Sequence, residues 1–152
     1  MNGRRLKIVI LAIVLILGCS EKTVKPPSAE SLKVKDAIEV LSAINSAYEN
    51  RDAGAFMRHI SREPSSNFNS FEERIKRDFG IYGKISLNLT PRWARVKEDL
   101  LQLSVNWEGK WYESSGKELR YRGNGIFSFK DEGEIKLVRI DGDNPFGIAG
   151  EQ

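Results

Sequence analysis

The chain has 152 residues, 24 Lys and Arg against 21 Asp and Glu, 40% hydrophobic residues, one Cys and one His. The length suits one domain with its own core, and three Trp, four Tyr and seven Phe exclude a disordered chain. A lone Cys excludes an internal disulfide framework, one Cys with one His excludes a Cys/His zinc cluster, and the basic excess has meaning only once it is located.

It is located at the amino terminus. Arg4, Arg5 and Lys7 precede a wholly apolar run, Ile8 to Leu17, and Gly18-Cys19 follows. A basic start, a short apolar stretch and a small residue describe a secretory signal. Ten residues span only ~15 Å as a helix, about half a bilayer core, so the run is too short for a membrane span. Ile16-Leu17-Gly18-Cys19 resembles the bacterial lipobox, departing from its commoner form at Leu17. That resemblance implies cleavage before Cys19 and lipidation (palmitate) of Cys19, with residues 1–18 as lipoprotein signal peptide. Ser20 in place of Asp resembles lipoproteins sorted to the outer membrane, which implies a membrane anchor there and a chain facing the periplasm. Without the signal, 21 basic residues remain against 21 acidic ones, so nucleic acid is not expected as a partner.

Residues 19–31 read as the lipidated terminus and a flexible tether, Pro-containing and without periodicity. From Val34, apolar residues recur at helical spacing through Ala37, Ile38, Leu41, Ile44, Ala47 and Tyr48, with Ser31 as the expected N-cap. Asp52 caps a second, short helix through Ile60, carrying Phe56 and His59, whose charge would suit a helix C-terminus. Ser70 and Glu73 form a capping box that opens a third helix, with Phe71, Ile75 and Phe79 on one stripe and a stop at Gly80.

After Gly83 the period becomes 2. Ile85, Leu87 and Leu89 alternate before Pro91, and Leu101, Leu103, Val105 and Trp107 alternate on a longer strand. Further strands are expected from Leu119 to Phe129 and from Ile135 to Ile140. Three helices followed by an antiparallel meander give an α+β fold, with the N-terminal helices packed on a curved antiparallel sheet. Turns at 115–117 and 131–133 predict the pairs Trp111–Tyr121, Val105–Phe127 and Leu103–Phe129, then Phe129–Ile135, Phe127–Leu137 and Gly125–Arg139. This register puts Arg139 and Asp141 on the buried face. It puts Ile126, Val138 and Ile140 on the other, as an apolar island for the tail near Phe146 to cover.

The segments AYENRD, FGIYGKISLNL and LVRIDGDNPFG, in this order around these elements, resemble the nuclear transport factor 2-like superfamily, the cone fold that includes ketosteroid isomerase and the SnoaL cyclases. The likeness runs from about Val34 to Gly147 within an expected cone-fold domain at residues 32–147, followed by a tail at residues 148–152. It implies a pocket at the wide end of the sheet, where the register gathers Trp107, Trp111, Tyr121, Arg139 and Asp141, with Gly123 and Gly125 leaving room. The alternative is a filled cone in which Arg139 and Asp141 pair and the aromatics are packing.

No catalytic residue, metal site or cofactor is expected. Asp141 beside Arg139 makes a poor base, and Ser114-Ser115-Gly116 reads as a turn. Asp141-Gly142-Asp143-Asn144 lacks the spacing of a calcium loop. The basic residues Arg74, Lys76, Arg77, Lys84, Arg92, Arg95 and Lys97 are interleaved with acids and read as a solvated face. The sequence therefore points to a lipid-anchored envelope protein with a non-catalytic cone domain that binds a small apolar ligand or a partner protein. The alternatives are an isomerase or dehydratase using a pocket Asp or Tyr, and a structural assembly domain with a filled cone. Nothing in the sequence sets the oligomeric state.

Overall fold

In the computed structural model, which describes residues 28–63 and 67–150, three helices lead into four antiparallel strands. They are α1 (Ala29–Glu49), α2 (Ala53–Arg58), α3 (Phe68–Ile81), β1 (Tyr82–Lys97), β2 (Leu100–Glu113), β3 (Glu118–Asp131) and β4 (Ile135–Gly142), followed by a short 3-10 turn, Ile148–Gly150. The signal, Cys19 and most of the tether lie outside the described residues.

The helix starts differ from expectation for local reasons. Ser28, not Ser31, caps α1: its backbone is extended and its hydroxyl accepts the Ser31 N–H at 3.1 Å. Asp52 caps α2 as expected, taking the Ala55 N–H at 2.8 Å. The capping box at Ser70 does not form. Asn67 is left-handed at φ 50°, α3 starts at Phe68, and the Ser70 hydroxyl donates to Asn67 O instead.

The strands follow the order β1-β2-β3-β4. Their faces alternate as expected, but the pairing is displaced. Glu113 N–H donates to Lys117 O, so the β2–β3 turn centres one residue earlier than expected and each partner moves by two. Leu103 stands opposite Phe127, Val105 opposite Gly125 and Trp111 opposite Leu119. A two-residue displacement keeps every side chain on its face, so the core residues of β2 and β3 are those expected.

At β3–β4 the difference is deeper. Phe129 pairs with Leu137, but Ser128 pairs with Arg139 and Phe127 with Ile140, leaving Val138 as a bulge. The bulge reverses the faces of everything after it. Ile140 turns inward, while Arg139 and Asp141 turn out to solvent. The tail then enters the cone rather than covering an outer island, and Phe146 is fully buried. Its ring meets Tyr48 at 5.0 Å, Phe56 at 5.1 Å and Phe127 at 6.3 Å between centroids. The space left by Gly123 and Gly125 is taken by this segment: a Cβ at Gly123 would lie 2.6 Å from Asp143 Cβ, and one at Gly125 2.9 Å from Asp143 O.

Candidate functional site

The middle of the cone holds a polar chain that the sequence reading missed. Asp78 sits on the buried side of α3 and is fully buried. Its Oδ2 accepts the Tyr48 hydroxyl, the Gly147 N–H at 2.7 Å and the Ile148 N–H at 3.2 Å; its Oδ1 accepts the Ala149 N–H at 2.9 Å. The Tyr48 oxygen in turn accepts the indole N–H of Trp111 at 3.1 Å. One carboxylate thus ties α1, α3 and the tail together, with β2 joined through Trp111. A signal for it exists in the sequence. Phe71, Ile75 and Asp78 fall at i, i+4 and i+7, so Asp78 lies on the apolar stripe of α3.

Every partner of Asp78 is a donor, which suits an ionised, acceptor-only carboxylate. Burial pushes its carboxyl above the usual carboxylate value, against the opposing pull of the hydrogen bonds from Tyr48 and the tail amides. Burial, and then the adjacent Asp78, raise the Tyr48 phenol well above its ordinary value. Both folded-state values are raised, so both contributions to stability are present below the unfolded pKa and lost as pH rises through the folded one. Asp78 therefore does not make the fold acid-labile. The domain is expected to lose stability above pH about 10, the ordinary phenol value, with Tyr48→Phe flattening that loss. Phenolate absorbance and unfolding free energy followed together check this; a Tyr48 that ionises in the native state without loss of stability contradicts it.

The expected pocket residues are split by the bulge. Trp107, Trp111 and Tyr121 stay together on the inner face, with ring centroids 6.4 and 5.9 Å apart in sequence. Trp111 is fully buried, and Trp107 donates its indole N–H to Asp143 O at 3.0 Å. Arg139 and Asp141 lie on the outer face, where they pair with each other at 2.8 Å in solvent. His59 caps α2, and burial together with Lys136 and Arg58 lowers its pKa, so a charge there is disfavoured rather than welcomed. The carboxylate of Asp143 and the amide oxygen of Asn144 take the backbone N–H groups of Asn124 and Phe146, both at 3.0 Å. Among the described residues, no three His, Cys, Asp or Glu side chains converge to hold a metal.

The concavities lie away from the polar chain. A cleft of about 200 Å³ between α3 and β4 is lined by Ile60, Phe71, Leu137, Val138 and Ile140 and, of the expected pocket residues, by Arg139. A shallow trough of about 470 Å³ on the outer sheet face is lined by Asn88, Thr90, Asn106, Glu108, Arg122 and Asn124. Neither is lined by Tyr48, Asp78 or Trp111.

No family model and no curated protein matches the sequence. Solved structures are similar in fold. A nuclear transport factor 2-like superfamily protein from Salmonella enterica serovar Typhimurium aligns at TM-score 0.68 and 13% identity, over 77% of this chain and 94% of that one. A proposed dehydratase of the NTF2-like family from Streptomyces avermitilis aligns at TM-score 0.63 and 12% identity, over 74% and 96%. A proposed aromatic ring hydroxylase from Novosphingobium aromaticivorans aligns at TM-score 0.63 and 14% identity, over 74% and 91%. The chain has the α+β cone fold of nuclear transport factor 2-like proteins. At such identities the likeness is one of fold, and function has to be argued from the site.

Proposed function

We propose that the protein is a lipid-anchored cell-envelope protein, held through Cys19 in the outer membrane and facing the periplasm, whose non-catalytic cone domain works by docking a partner protein. The observation that carries the domain's role is the closure of the cone around Asp78. A general base needs a lone pair turned toward substrate. Asp78 is fully buried, and its oxygens are engaged by four donors of the chain itself. Asp141 is half-exposed and paired with Arg139. Tyr121 meets Trp111 in a tilted contact at 5.9 Å and is 43% exposed, so its phenol is open to water rather than enclosed in a pocket. A small apolar ligand fits less well than a protein partner: the cleft beside Phe71 and Leu137 holds about 200 Å³, below the ~300–1,000 Å³ usual for ligand sites, and the concavity of about 620 Å³ beside Tyr121 is lined largely by charged residues, among them Lys84, Glu108, Lys110 and Arg120.

The anchor rests on the lipobox at Ile16 to Cys19. Stable attachment needs more than one acyl chain, as multiple acylation at Cys19 provides. Metabolic labelling with an alkyne fatty acid tests it: the native chain takes up label and Cys19→Ala does not, while label retained by the variant overturns the anchor. Native mass spectrometry of protein purified from cells tests the closed cone. The expected mass is that of the lipidated polypeptide; a stoichiometric small-molecule adduct contradicts the reading.

A further inference from the structure

The edges of the sheet are closed unevenly. On β4, the Leu137 N–H donates to His59 O and the Ser61 N–H donates to Leu137 O, both at 2.8 Å. On the first half of β1, α1 provides the same cover: the Leu87 N–H donates to Glu49 Oε1 at 2.7 Å and Leu87 O accepts Asn45 Nδ2 at 2.9 Å. Arg51 reaches Gly83 O at 3.0 Å. Beyond this cover, Thr90 through Lys97 is exposed without interruption.

The direction of the exposed backbone groups follows from the ladder. In an antiparallel pair, successive residues turn their N–H and C=O alternately toward one neighbour and the other. Leu87 stands opposite Gly109 and bonds to α1, so Gly109 turns toward β3. Leu103 and Leu101 share the parity of Gly109 on β2, whose pairing with β3 has no break. They stand opposite Ala94 and Val96, whose N–H and C=O groups therefore point off the open edge.

The open stretch also has a charge. β1 carries Lys84, Arg92, Arg95 and Lys97 and no acidic residue. Across the sheet, Lys130, Lys136 and Arg139 are each paired with a carboxylate. Among the described residues, no carboxylate pairs with Arg92, Arg95 or Lys97; Arg95 hydrogen-bonds Gln102 at 2.8 Å and lies 5.1 Å from the Trp93 ring centroid. Of the two acids in the adjoining turn, Glu98 and Asp99, the second faces Lys130 at 3.7 Å. Trp93 and Val96 remain 44% and 45% exposed.

We propose that Trp93 to Lys97 is a docking strand that accepts an extended, acidic segment of a partner protein by strand addition. Trp93, Arg95 and Lys97 share one face and Ala94 and Val96 the other, so the fitting segment carries acids at alternate positions with apolar residues between. A second copy of this chain fits poorly: antiparallel pairing of the stretch on itself sets Arg95 against Arg95, and like charges directly opposite are destabilising. Pro91 and the break in register beside it limit the docking strand to a few residues.

The proposal rests on the partner-docking reading, and its test separates the two. Random heptapeptides are selected by display on the detergent-solubilised full-length chain. The expected binders have Asp or Glu at alternate positions, bind about tenfold more tightly than their Asn/Gln versions, and shift the Ala94 and Val96 amide resonances. Val96→Pro removes an outward N–H while sparing the bonds to β2, and is expected to weaken binding about tenfold with Tm changed by less than about 3 °C. Lys97→Glu, which leaves the backbone alone, is expected to weaken it similarly and serves if the proline variant does not fold. Binders without acidic preference, or binding indifferent to both variants, overturn the proposal. So does use of the same stretch for anionic vesicles or self-association in place of peptide. A small-molecule adduct in the cone together with acidic peptides at β1 overturns the closed-cone reading and leaves the docking strand standing; a closed cone without acidic selection overturns the docking strand alone.

Discussion

Asp78→Ala is expected to destabilise the domain by about 4 kcal/mol, among the largest effects a single substitution produces. The variant removes the acceptor of three backbone N–H groups and of the Tyr48 hydroxyl, all in or beside the core. A buried donor left without a partner costs about 1–3 kcal/mol, and the backbone amides of the tail cannot be mutated away. Some of the loss is recovered if the tail swings out to water, but that exposes Phe146 and Ile148. Asp78→Asn separates geometry from charge. Its amide oxygen can occupy the Oδ2 position and keep three donors, while its NH₂ then opposes the Ala149 N–H. A loss of about 2 kcal/mol is therefore expected, smaller than for Ala. Denaturant unfolding of both variants checks the order; equal and small losses would show that the carboxylate is not the tie.

Phe146→Ala is expected to cost about 3–5 kcal/mol, the range for truncating a fully buried aromatic. The ring fills the space between Tyr48, Phe56 and Phe127, all of which keep their places on other elements. Part of that loss reflects a cavity rather than transfer to water, so a small aromatic such as benzene is expected to raise the Tm of the variant and leave the native chain unaffected. The two substitutions act on the same segment. If each releases the tail, the double variant loses little more than the worse single one, a coupling of at least about 1 kcal/mol in a double-mutant cycle. Additive losses would mean that ring and carboxylate hold separate pieces of structure.

The sequence showed the element order, the α+β class and the faces of β1 to β3, because those follow from periodicity, which tertiary packing rarely reverses. Leu103, Val105, Trp107 and Phe127 were legible as core for that reason. The positions of turns were not. Moving the β2–β3 turn by one residue changes each partner by two without changing any face, so hydrophobic pattern cannot detect it. The Val138 bulge left only an indirect trace. In LVRID two apolar residues adjoin, so the apolar phase shifts by one between Leu137 and Ile140, and the pairing with β3 identifies Val138 as the extra residue. That one residue moved Arg139 and Asp141 out of the expected site and separated them from Trp107, Trp111 and Tyr121. Asp78 was legible in principle as a polar residue on an apolar stripe. Its partners were not, because three of them are backbone N–H groups of a tail whose entry into the cone no local pattern announces.

The tail bound to Asp78 closes the cone from within. Amide hydrogen exchange at Gly147, Ile148 and Ala149, measured residue by residue in the folded chain, tests this closure most directly. These three donors are predicted to exchange only through global unfolding, with protection matching the free energy of the whole domain and lost together in Asp78→Ala. Exchange of the three at the rate of an exposed loop, in a domain whose β2 and β3 amides stay protected, would mean that the tail opens freely and that the interior is a site rather than a core.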